Sequence, residues 1–345
     1  MRALVLESYG KLSVQELPAP EVGSGDVLVR VMACGICGSD VHGMDGSTGR
    51  RIPPIVMGHE AAGVVERVGA DVKSVRAGDR VTLDSTIYNP DSYFSRRGLV
   101  NLCDDRRVLG VSCEDYRRHG AFAELVSVPA HIVYTLPAVL PFEQAALVEP
   151  VSIAVHARNL TPLQPDDTAA VVGAGLIGLM MLQVLRAAGL RRIVVVDLED
   201  DRLALARELG ASHVLSSRTA DVVTEVRALT DGRGADVAFE AVGIEPTVRA
   251  AVGAVRKGGT VTLIGNLAKD VSLPLQAVVT RQIRLQGSCA SSGEYPECLE
   301  LIASGRVDVA RFISATATLE EGPSWFDRLH RREAGLMKVV LRPNG

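Results

Sequence analysis

The feature that most constrains the fold is a glycine-rich turn between an apolar strand and a helix. The run TAAVV is followed by Gly173-Ala174-Gly175-Leu176-Ile177-Gly178 and then by the helical run LMMLQVLRAAG. A GxGxxG pattern in this context indicates a βαβ unit that binds a dinucleotide, with the phosphates at the N-terminus of the helix. We therefore predict a doubly wound parallel sheet that contacts a cofactor through four residues of the turn: Gly173, Gly175, Ile177 and Gly178.

Asp197 ends the next predicted strand, RRIVVVD. A carboxylate at this position can accept hydrogen bonds from the adenosine ribose hydroxyls and would repel a 2′-phosphate, so NAD is favoured over NADP. Arg202 is the opposing observation, because a guanidinium nearby can bind that phosphate. The remaining residues that we assign to the cofactor site are Arg202, Gly243, Gly265 and Ser288.

Length and composition limit the classes of function. With 345 residues the chain exceeds one ordinary core, so we expect two domains. A net charge of -4 without a long basic run argues against nucleic-acid and membrane-surface partners and favours a small-molecule ligand. The scattered cysteines and the lack of a signal-like or spanning segment lead us to expect a cytoplasmic protein with free thiols.

The first 150 residues consist of short alternating segments such as DVLVRVMA and are predicted to be β-rich. They contain the pair Cys34 and Cys37, and later the pair His59 and Glu60. One thiolate, one imidazole and one carboxylate form an open zinc site of the catalytic type. Thiol redox chemistry is the rival interpretation, but a redox CxxC belongs to a thioredoxin-like unit, for which the sequence shows no sign.

Several motifs together resemble the zinc-containing medium-chain dehydrogenases: ACGICGSDVH, GHEAAGVV, VGADVKSVRAGDRV and VVGAGLIG. LVEPVSIAVHA is most similar to the sorbitol and polyol branch, with its threonine and sugar-alcohol relatives. The resemblance covers essentially the whole chain. It implies a β-rich GroES-like catalytic domain formed by residues 1–150 and 286–345, and a Rossmann domain formed by residues 151–285.

The resemblance assigns roles to residues of the first domain. Cys37 and His59 match the first two ligands of a catalytic zinc, and the third protein ligand is either Glu60 or Glu149. Cys34 matches a buried position that is not a ligand. Ser39 and His42 match a proton relay, and we assign catalytic roles to three residues in all: Ser39, His42 and Glu60. Asp40 is interpreted as a partner that supports the site.

Two departures from the family pattern matter. Many relatives carry a structural zinc in a lobe written CGxCxxCRxGxxNLC, where this chain reads NPDSYFSRRGLVNLC. Asn89, Ser92 and Ser95 replace three cysteines and leave Cys103 alone, so we predict one zinc per chain and no structural zinc. Ala290 and Ser291 stand where polyol dehydrogenases often carry an Arg-Tyr pair, which weakens the case for sorbitol itself as substrate.

The sequence thus predicts an NAD-dependent zinc enzyme that oxidises a secondary alcohol of the polyol, sugar-alcohol or cyclitol class. Two alternatives stay open: a zinc-independent reductase of the same superfold, and a non-catalytic protein that binds NAD. We expect a homodimer or a homotetramer.

Overall fold

A computed structural model describes residues 1–345, which divide into two compact units. The first contains Met1–Glu149, Tyr295–Ala303 and Val309–Gly345, and the second contains Pro150–Glu294 and Ser304–Asp308. The sequence placed the second boundary at residue 286. The structure differs because the strand that ends at Gly287 pairs within the second unit, and the chain stays with that unit up to Glu294.

The elements follow one another along the chain. The strands are β1 (Arg2–Ser8), β2 (Lys11–Glu16), β3 (Asp26–Gly35), β4 (Ile55–Val56), β5 (Glu60–Val68), β6 (Arg80–Leu83), β7 (Thr86–Ile87), β8 (Arg107–Val108), β9 (Val111–Ser112), β10 (Arg117–Arg118), β11 (Leu125–Pro129), β12 (Val133–Thr135), β13 (Thr168–Val172), β14 (Arg192–Asp197), β15 (His213–Ser216), β16 (Ala235–Glu240), β17 (Val255–Leu263), β18 (Arg284–Gly287), β19 (Ile313–Ala317) and β20 (Lys338–Leu341). The α-helices are α1 (Gly38–Met44), α2 (Phe142–Ala145), α3 (Val148–Asn159), α4 (Leu176–Ala187), α5 (Asp200–Glu208), α6 (Val222–Ala228), α7 (Glu245–Ala254), α8 (Leu275–Thr280), α9 (Tyr295–Ala303) and α10 (Gly322–His330). No helix combines the length and the apolar character that a bilayer-spanning segment needs.

The first unit is built around one seven-stranded sheet. Its strand order is β12-β6-β5-β3-β20-β19, and β11 also pairs with β3. Every second residue from Val27 to Val31 in β3 is fully buried, as the alternation in its sequence predicts. Phe122 and Leu83 are fully buried in the same apolar cluster. The C-terminal strand β20 lies inside this sheet, so both ends of the chain build the first unit.

The second unit is a six-stranded sheet in which every pair is parallel, with the order β15-β14-β13-β16-β17-β18. Counted from β13 this is 3-2-1-4-5-6, the order of the doubly wound dinucleotide-binding fold. The central strand β13 is buried along its whole length, which explains its unbroken apolar run. The predicted Rossmann sheet is confirmed.

Asp236 ties three neighbouring strands of this sheet together. Its carboxylate accepts the Thr168 N–H (2.8 Å) and pairs with Arg256 Nε (2.6 Å). Burial alone would raise the pKa of Asp236, but Arg256 and the Thr168 N–H outweigh burial and lower it. A carboxyl group whose pKa is lower in the folded state stabilises the fold above its unfolded value of about 4, and this contribution is lost as the pH falls through the folded value.

We expect Asp236→Asn to lower the free energy of unfolding by about 1 kcal/mol at pH 7, since the ion pair is partly exposed. The difference from the wild type should shrink below about pH 4, where the wild-type carboxyl also becomes neutral. Thermal unfolding at several pH values measures this. Asp231→Asn is the matched control, because Asp231 is 91% exposed. Equal losses at pH 7 and pH 3 would contradict the expectation.

Candidate active site

Strand pairing brings the three predicted metal ligands together. Gly35 at the end of β3 lies opposite Glu60 at the start of β5, which puts Cys37 beside His59 and Glu60. One ligand atom from each of these three residues lies within 4.8 Å of the other two. A Cβ on Gly35 would lie 2.1 Å from Glu60 Oε2, so only glycine leaves room for this carboxylate. We call Cys37, His59 and Glu60 the metal-binding trio.

Asp40 faces the imidazole of the trio. Its carboxylate is fully buried, and Oδ1 lies 3.5 Å from His59 Nδ1, a buried atom without a hydrogen-bond partner. Burial would lower the pKa of His59, but the charges of Asp40 and Cys37 outweigh burial and raise it well above its ordinary value. The site therefore stabilises positive charge. A thiolate, an imidazole held by a carboxylate, and a second carboxylate fit a zinc ion.

Glu60 has a buried cationic partner that the sequence analysis missed. Lys338 Nζ at the start of β20 lies 2.7 Å from Glu60 Oε1 and 2.6 Å from Oε2, and it also donates to Ile36 O at 3.0 Å. Both side chains are almost completely buried. The only signal of this partner in the sequence was a charged residue, Lys338, at the start of the apolar strand KVVL.

Glu149, the alternative third ligand, lies outside the trio. It is at the start of α3, and Ser85 Oγ donates to its Oε1 at 3.1 Å. Burial is the main reason that the pKa of Glu149 is raised, and the charge of Glu60 adds to it, whereas His59 opposes it. The atoms that could hold a metal within 4.8 Å of one another come from Cys37, His59 and Glu60, and Glu149 is not among them.

The predicted relay residues lie three positions apart on α1, which places them on one side of the helix. Ser39 is exposed and His42 is half-buried. Ser39 Oγ accepts a hydrogen bond of 3.2 Å from Nη2 of Arg51, a buried residue that the sequence analysis did not single out.

In the second unit, the glycine turn has the geometry that its sequence predicts. Gly173 has a φ of +102°, and a Cβ on Gly178 would lie 1.7 Å from Gly173 O, so a side chain is excluded at both positions. A Cβ on Gly175, in contrast, would meet no atom within 4 Å, which leaves space for a ligand above the backbone. The turn can therefore accept a pyrophosphate at the start of α4.

Asp197 is fixed at the end of β14. Its Oδ2 accepts the Ala174 N–H at 2.5 Å, and its Oδ1 accepts the N–H groups of Leu198 and Glu199 at 2.8 and 2.9 Å. Arg202 Nη1 lies 4.0 Å from Oδ2. The carboxylate therefore holds a fixed negative charge beside the glycine turn.

The structure gives different environments to the other residues assigned to the cofactor. Ile177 is half-buried in the first turn of α4. Gly243 and Gly265 pack against each other, since a Cβ on Gly265 would lie 2.1 Å from Gly243 N. Close packing alone therefore explains why both positions are glycine. Ser288 Oγ is buried without a hydrogen-bond partner, and its N–H donates to Leu263 O at 2.9 Å.

Hydrogen bonds connect the positions of the lobe of residues 89–103 at which relatives carry cysteines. Asn89 N–H donates to Cys103 Sγ at 3.4 Å, and Ser92 Oγ donates to Ser95 Oγ at 2.8 Å. Burial would raise the pKa of the Cys103 thiol, but hydrogen bonds, first from Ser92 and then from the Asn89 backbone, lower it. The four positions that hold structural zinc in relatives here carry one thiol, two hydroxyls and an amide.

Comparison with known proteins identifies the family of both units. A family profile described as zinc-binding dehydrogenase matches residues 177–304, and one described as alcohol dehydrogenase GroES-like domain matches residues 23–138. A sorbitol dehydrogenase from Bacillus subtilis (strain 168) is 33% identical, and the match covers 100% of this chain and 98% of that protein.

Solved structures show the same architecture. An alcohol dehydrogenase from Thermus sp. ATN1 has a TM-score of 0.93 at 33% identity, with 99% of both chains covered. A protein from Sinorhizobium meliloti 1021, described as a zinc-binding dehydrogenase and bound to NADP, has a TM-score of 0.91 at 32% identity, also with 99% of both chains covered.

A cluster of possible zinc ligands in one unit and a glycine turn of the dinucleotide-binding type in the other are the features of a metal-dependent dehydrogenase. The chain belongs to the zinc-containing medium-chain alcohol dehydrogenase family, in its polyol branch. It is an enzyme, an oxidoreductase that acts on alcohols and uses zinc and a nicotinamide cofactor. The comparisons lend no support to a zinc-independent reductase or to a non-catalytic protein.

Proposed function

We propose that the protein transfers a hydride between a secondary alcohol of the polyol, sugar-alcohol or cyclitol class and NAD. The observation that carries the proposal is the metal-binding trio within 4.8 Å, with buried Asp40 3.5 Å from His59 Nδ1. When bound, zinc polarises the substrate hydroxyl as a Lewis acid, and NAD accepts the hydride.

We assign the third protein ligand to Glu60 rather than to Glu149. Glu60 belongs to the trio, and Lys338 Nζ holds both of its carboxylate oxygens in place. Each carboxylate oxygen has more than one lone pair, so a contact with Lys338 and one with a metal are compatible. The role of Glu149 is then to supply a buried polar group, supported by Ser85, beside the trio.

We assign the removal of the alcohol proton to α1. Ser39 Oγ accepts the proton from the substrate hydroxyl while its own proton leaves towards His42, and the half-buried imidazole passes it to solvent. The spacing of three residues on one side of α1 supports this order of transfer.

An activity screen tests the proposed function. The purified protein, loaded with zinc, is assayed with NAD and with NADP against phosphorylated and unphosphorylated polyols, cyclitols and simple secondary alcohols, and absorbance at the wavelength of the reduced nicotinamide is followed. We expect turnover with vicinal secondary alcohols. Ala290 and Ser291 replace the Arg-Tyr pair often found in polyol dehydrogenases, so sorbitol is not expected to be the best substrate. A complete lack of turnover across the panel would refute the proposal.

The choice of NAD rests on Asp197. Its carboxylate is fixed by three backbone N–H groups and is only 9% exposed, so it cannot swing away from a 2′-phosphate. Arg202 lies near enough to offset part of this repulsion, and the Sinorhizobium relative is a structure with NADP bound. We give more weight to Asp197 because its position is fixed, whereas Arg202 is 45% exposed.

We expect Asp197→Asn to raise the ratio of kcat/KM for NADP to that for NAD by about 10- to 100-fold. The amide removes the charge that repels the 2′-phosphate, and because only one of its two terminal atoms accepts hydrogen bonds, it loses at least one of the three backbone N–H contacts. Steady-state kinetics with both cofactors measures the ratio. Asp221→Asn is the control, since Asp221 caps α6 through Thr224 N (2.7 Å) and should leave the ratio unchanged. An unchanged ratio in Asp197→Asn would contradict the assignment to NAD.

We further propose that the lobe of residues 89–103 binds no zinc. The support is its donor set, because one thiol with two hydroxyls and an amide binds zinc weakly. Metal analysis of the purified protein should give one zinc per chain, and two would overturn the proposal. The cytoplasmic location and the homodimeric or homotetrameric state stay predictions from the sequence.

A further inference from the structure

A buried guanidinium contacts both the proposed proton relay and the carboxylate beside the metal-binding trio. The side chain of Arg51 is 4% exposed. Its Nη2 lies 2.9 Å from Asp40 Oδ1 and 3.2 Å from Ser39 Oγ, and its Nε lies 3.2 Å from the same Asp40 oxygen. One side chain thus touches the carboxylate that faces His59 and the hydroxyl of the relay.

The Asp40 contact extends to two members of the metal-binding trio. Asp40 Oδ1, which receives both hydrogen bonds from Arg51, also lies 3.5 Å from His59 Nδ1, and Oδ2 accepts the Cys37 N–H at 3.3 Å. Without Arg51, Asp40 would be a buried carboxylate with no cationic side chain other than the imidazole, and its Oδ1 would lose both of its hydrogen bonds. The orientation of His59 depends on this carboxylate.

The Ser39 contact determines what the hydroxyl can do. A hydroxyl oxygen has two lone pairs and one hydrogen. Arg51 donates to one lone pair, which leaves the other to accept the proton of the substrate and leaves the hydrogen free to depart. Because a guanidinium is a donor only, Ser39 cannot direct its hydrogen towards Arg51. The relay therefore has one possible direction, away from Arg51.

The fold makes room for this side chain. A Cβ on Gly43 would lie 2.2 Å from Arg51 Cγ, so the stem of Arg51 lies against α1 where that helix has no side chain. The backbone of Arg51 is held on its other side by a bridge to Ser112. Arg51 and Gly43 fit each other as a packed pair.

We propose that Arg51 is a positioning residue, which fixes the Asp40–His59 pair for metal binding and sets the direction of proton transfer through Ser39. The inference rests on the proposed function of Ser39. It predicts two separable effects of one side chain: one on metal retention, through Asp40, and one on proton transfer, through Ser39.

A double-mutant cycle tests the second effect. Ser39→Ala is expected to lower kcat about 100-fold, and Arg51→Met about 10- to 100-fold with an unchanged KM for the cofactor. All variants are assayed with saturating zinc, so that the weaker metal binding of Arg51→Met does not contribute; if Arg51 then acts through Ser39, the double variant loses little more than Ser39→Ala alone. Fold-losses that multiply would overturn this part of the proposal. If Ser39→Ala keeps wild-type kcat, Ser39 carries no proton and the relay assigned under the proposed function fails. This outcome differs from multiplying fold-losses, in which Ser39 matters but Arg51 does not act through it.

Zinc retention tests the first effect without any assay of turnover. In competition with a chelator, Arg51→Met should bind zinc about 10- to 100-fold more weakly, and Ser39→Ala should bind it as the wild type does. Wild-type zinc affinity in Arg51→Met would overturn this part.

Two further variants guard against a failure to fold. Arg51→Lys keeps the charge, but its single nitrogen cannot reach all the acceptors that the three guanidinium nitrogens contact, which are Asp40 Oδ1, Ser39 Oγ and Arg50 O. It should therefore restore zinc binding more fully than kcat. Gly43→Ala leaves Arg51 in the sequence and displaces it, and it should reproduce both losses. Arg80→Met is the matched control in the same unit, because Arg80 donates to backbone oxygens such as Ala138 O (2.6 Å) and touches none of these residues. It should lower thermal stability and leave zinc affinity and kcat unchanged.

Discussion

Replacing Cys37 with serine is expected to remove zinc from the protein and to lower turnover by at least about 100-fold. A serine hydroxyl stays protonated at neutral pH and is a poor ligand for zinc, whereas the cysteine binds as a thiolate. Metal analysis should fall from one zinc per chain in the wild type to a small fraction of that. Binding of NAD, measured by quenching of protein or cofactor fluorescence, should change little, since the glycine turn and Asp197 belong to the other unit.

Cys113→Ser is the matched control for this variant. Cys113 is a free, half-buried thiol in the same unit, and it lies outside the trio. It should keep its zinc and its activity. If Cys37→Ser retained zinc and turnover, the trio would lose its role; if it retained zinc but lost turnover, Cys37 would act in the chemistry rather than in metal binding.

Lys338→Met is expected to lower the stability of the metal-free protein by about 3–5 kcal/mol. The substitution leaves Glu60 buried without its cationic partner, and an unpaired buried charge is among the most destabilising changes known for a folded chain. Chemical denaturation of chelator-treated protein measures the loss. Bound zinc would replace part of the missing positive charge, so the loss should be smaller in the zinc-loaded protein.

The double variant Lys338→Met with Glu60→Gln separates the charge from the packing. Removing both charges should recover much of the lost stability, because the remaining amide is neutral. Lys73→Met, at an exposed position of the same unit, should change the stability by less than about 0.5 kcal/mol. A double variant as unstable as Lys338→Met alone would show that the aliphatic stem of Lys338, and not its charge, supports the site.

The parallel sheet could be predicted from the sequence because its signals are local. Gly173, Gly175 and Gly178 lie within six residues, and the adjacent strand and helix have clear periodicity. The boundary at residue 286 was placed too early because it depends on pairing of Arg284–Gly287 with a strand more than twenty residues upstream. Pairing partners of a short edge strand leave no mark in its own composition.

The trio itself could be predicted because each ligand type is chemically distinctive, and Cys37 lies near His59 and Glu60 in the sequence. Lys338 and Arg51 could not, since lysine and arginine are usually exposed and a buried one is recognised only by its partner. Lys338 lies 278 residues from Glu60 along the chain. The sequence could not decide between Glu60 and Glu149 as the third ligand, because both are glutamates beside apolar residues.

The place of β20 inside the first sheet has a consequence for biosynthesis. Cys37, His59 and Glu60 leave the ribosome early, but the strand that carries Lys338 is made only after the whole second unit. Until then Glu60 has no cationic partner, and the end of β3 at Cys34 and Gly35, which later receives β20, is unpaired on that side. The nascent first unit is therefore a sheet that still lacks β19 and β20, and the end of the sheet beside the metal-binding trio is among the last parts of the protein to be completed.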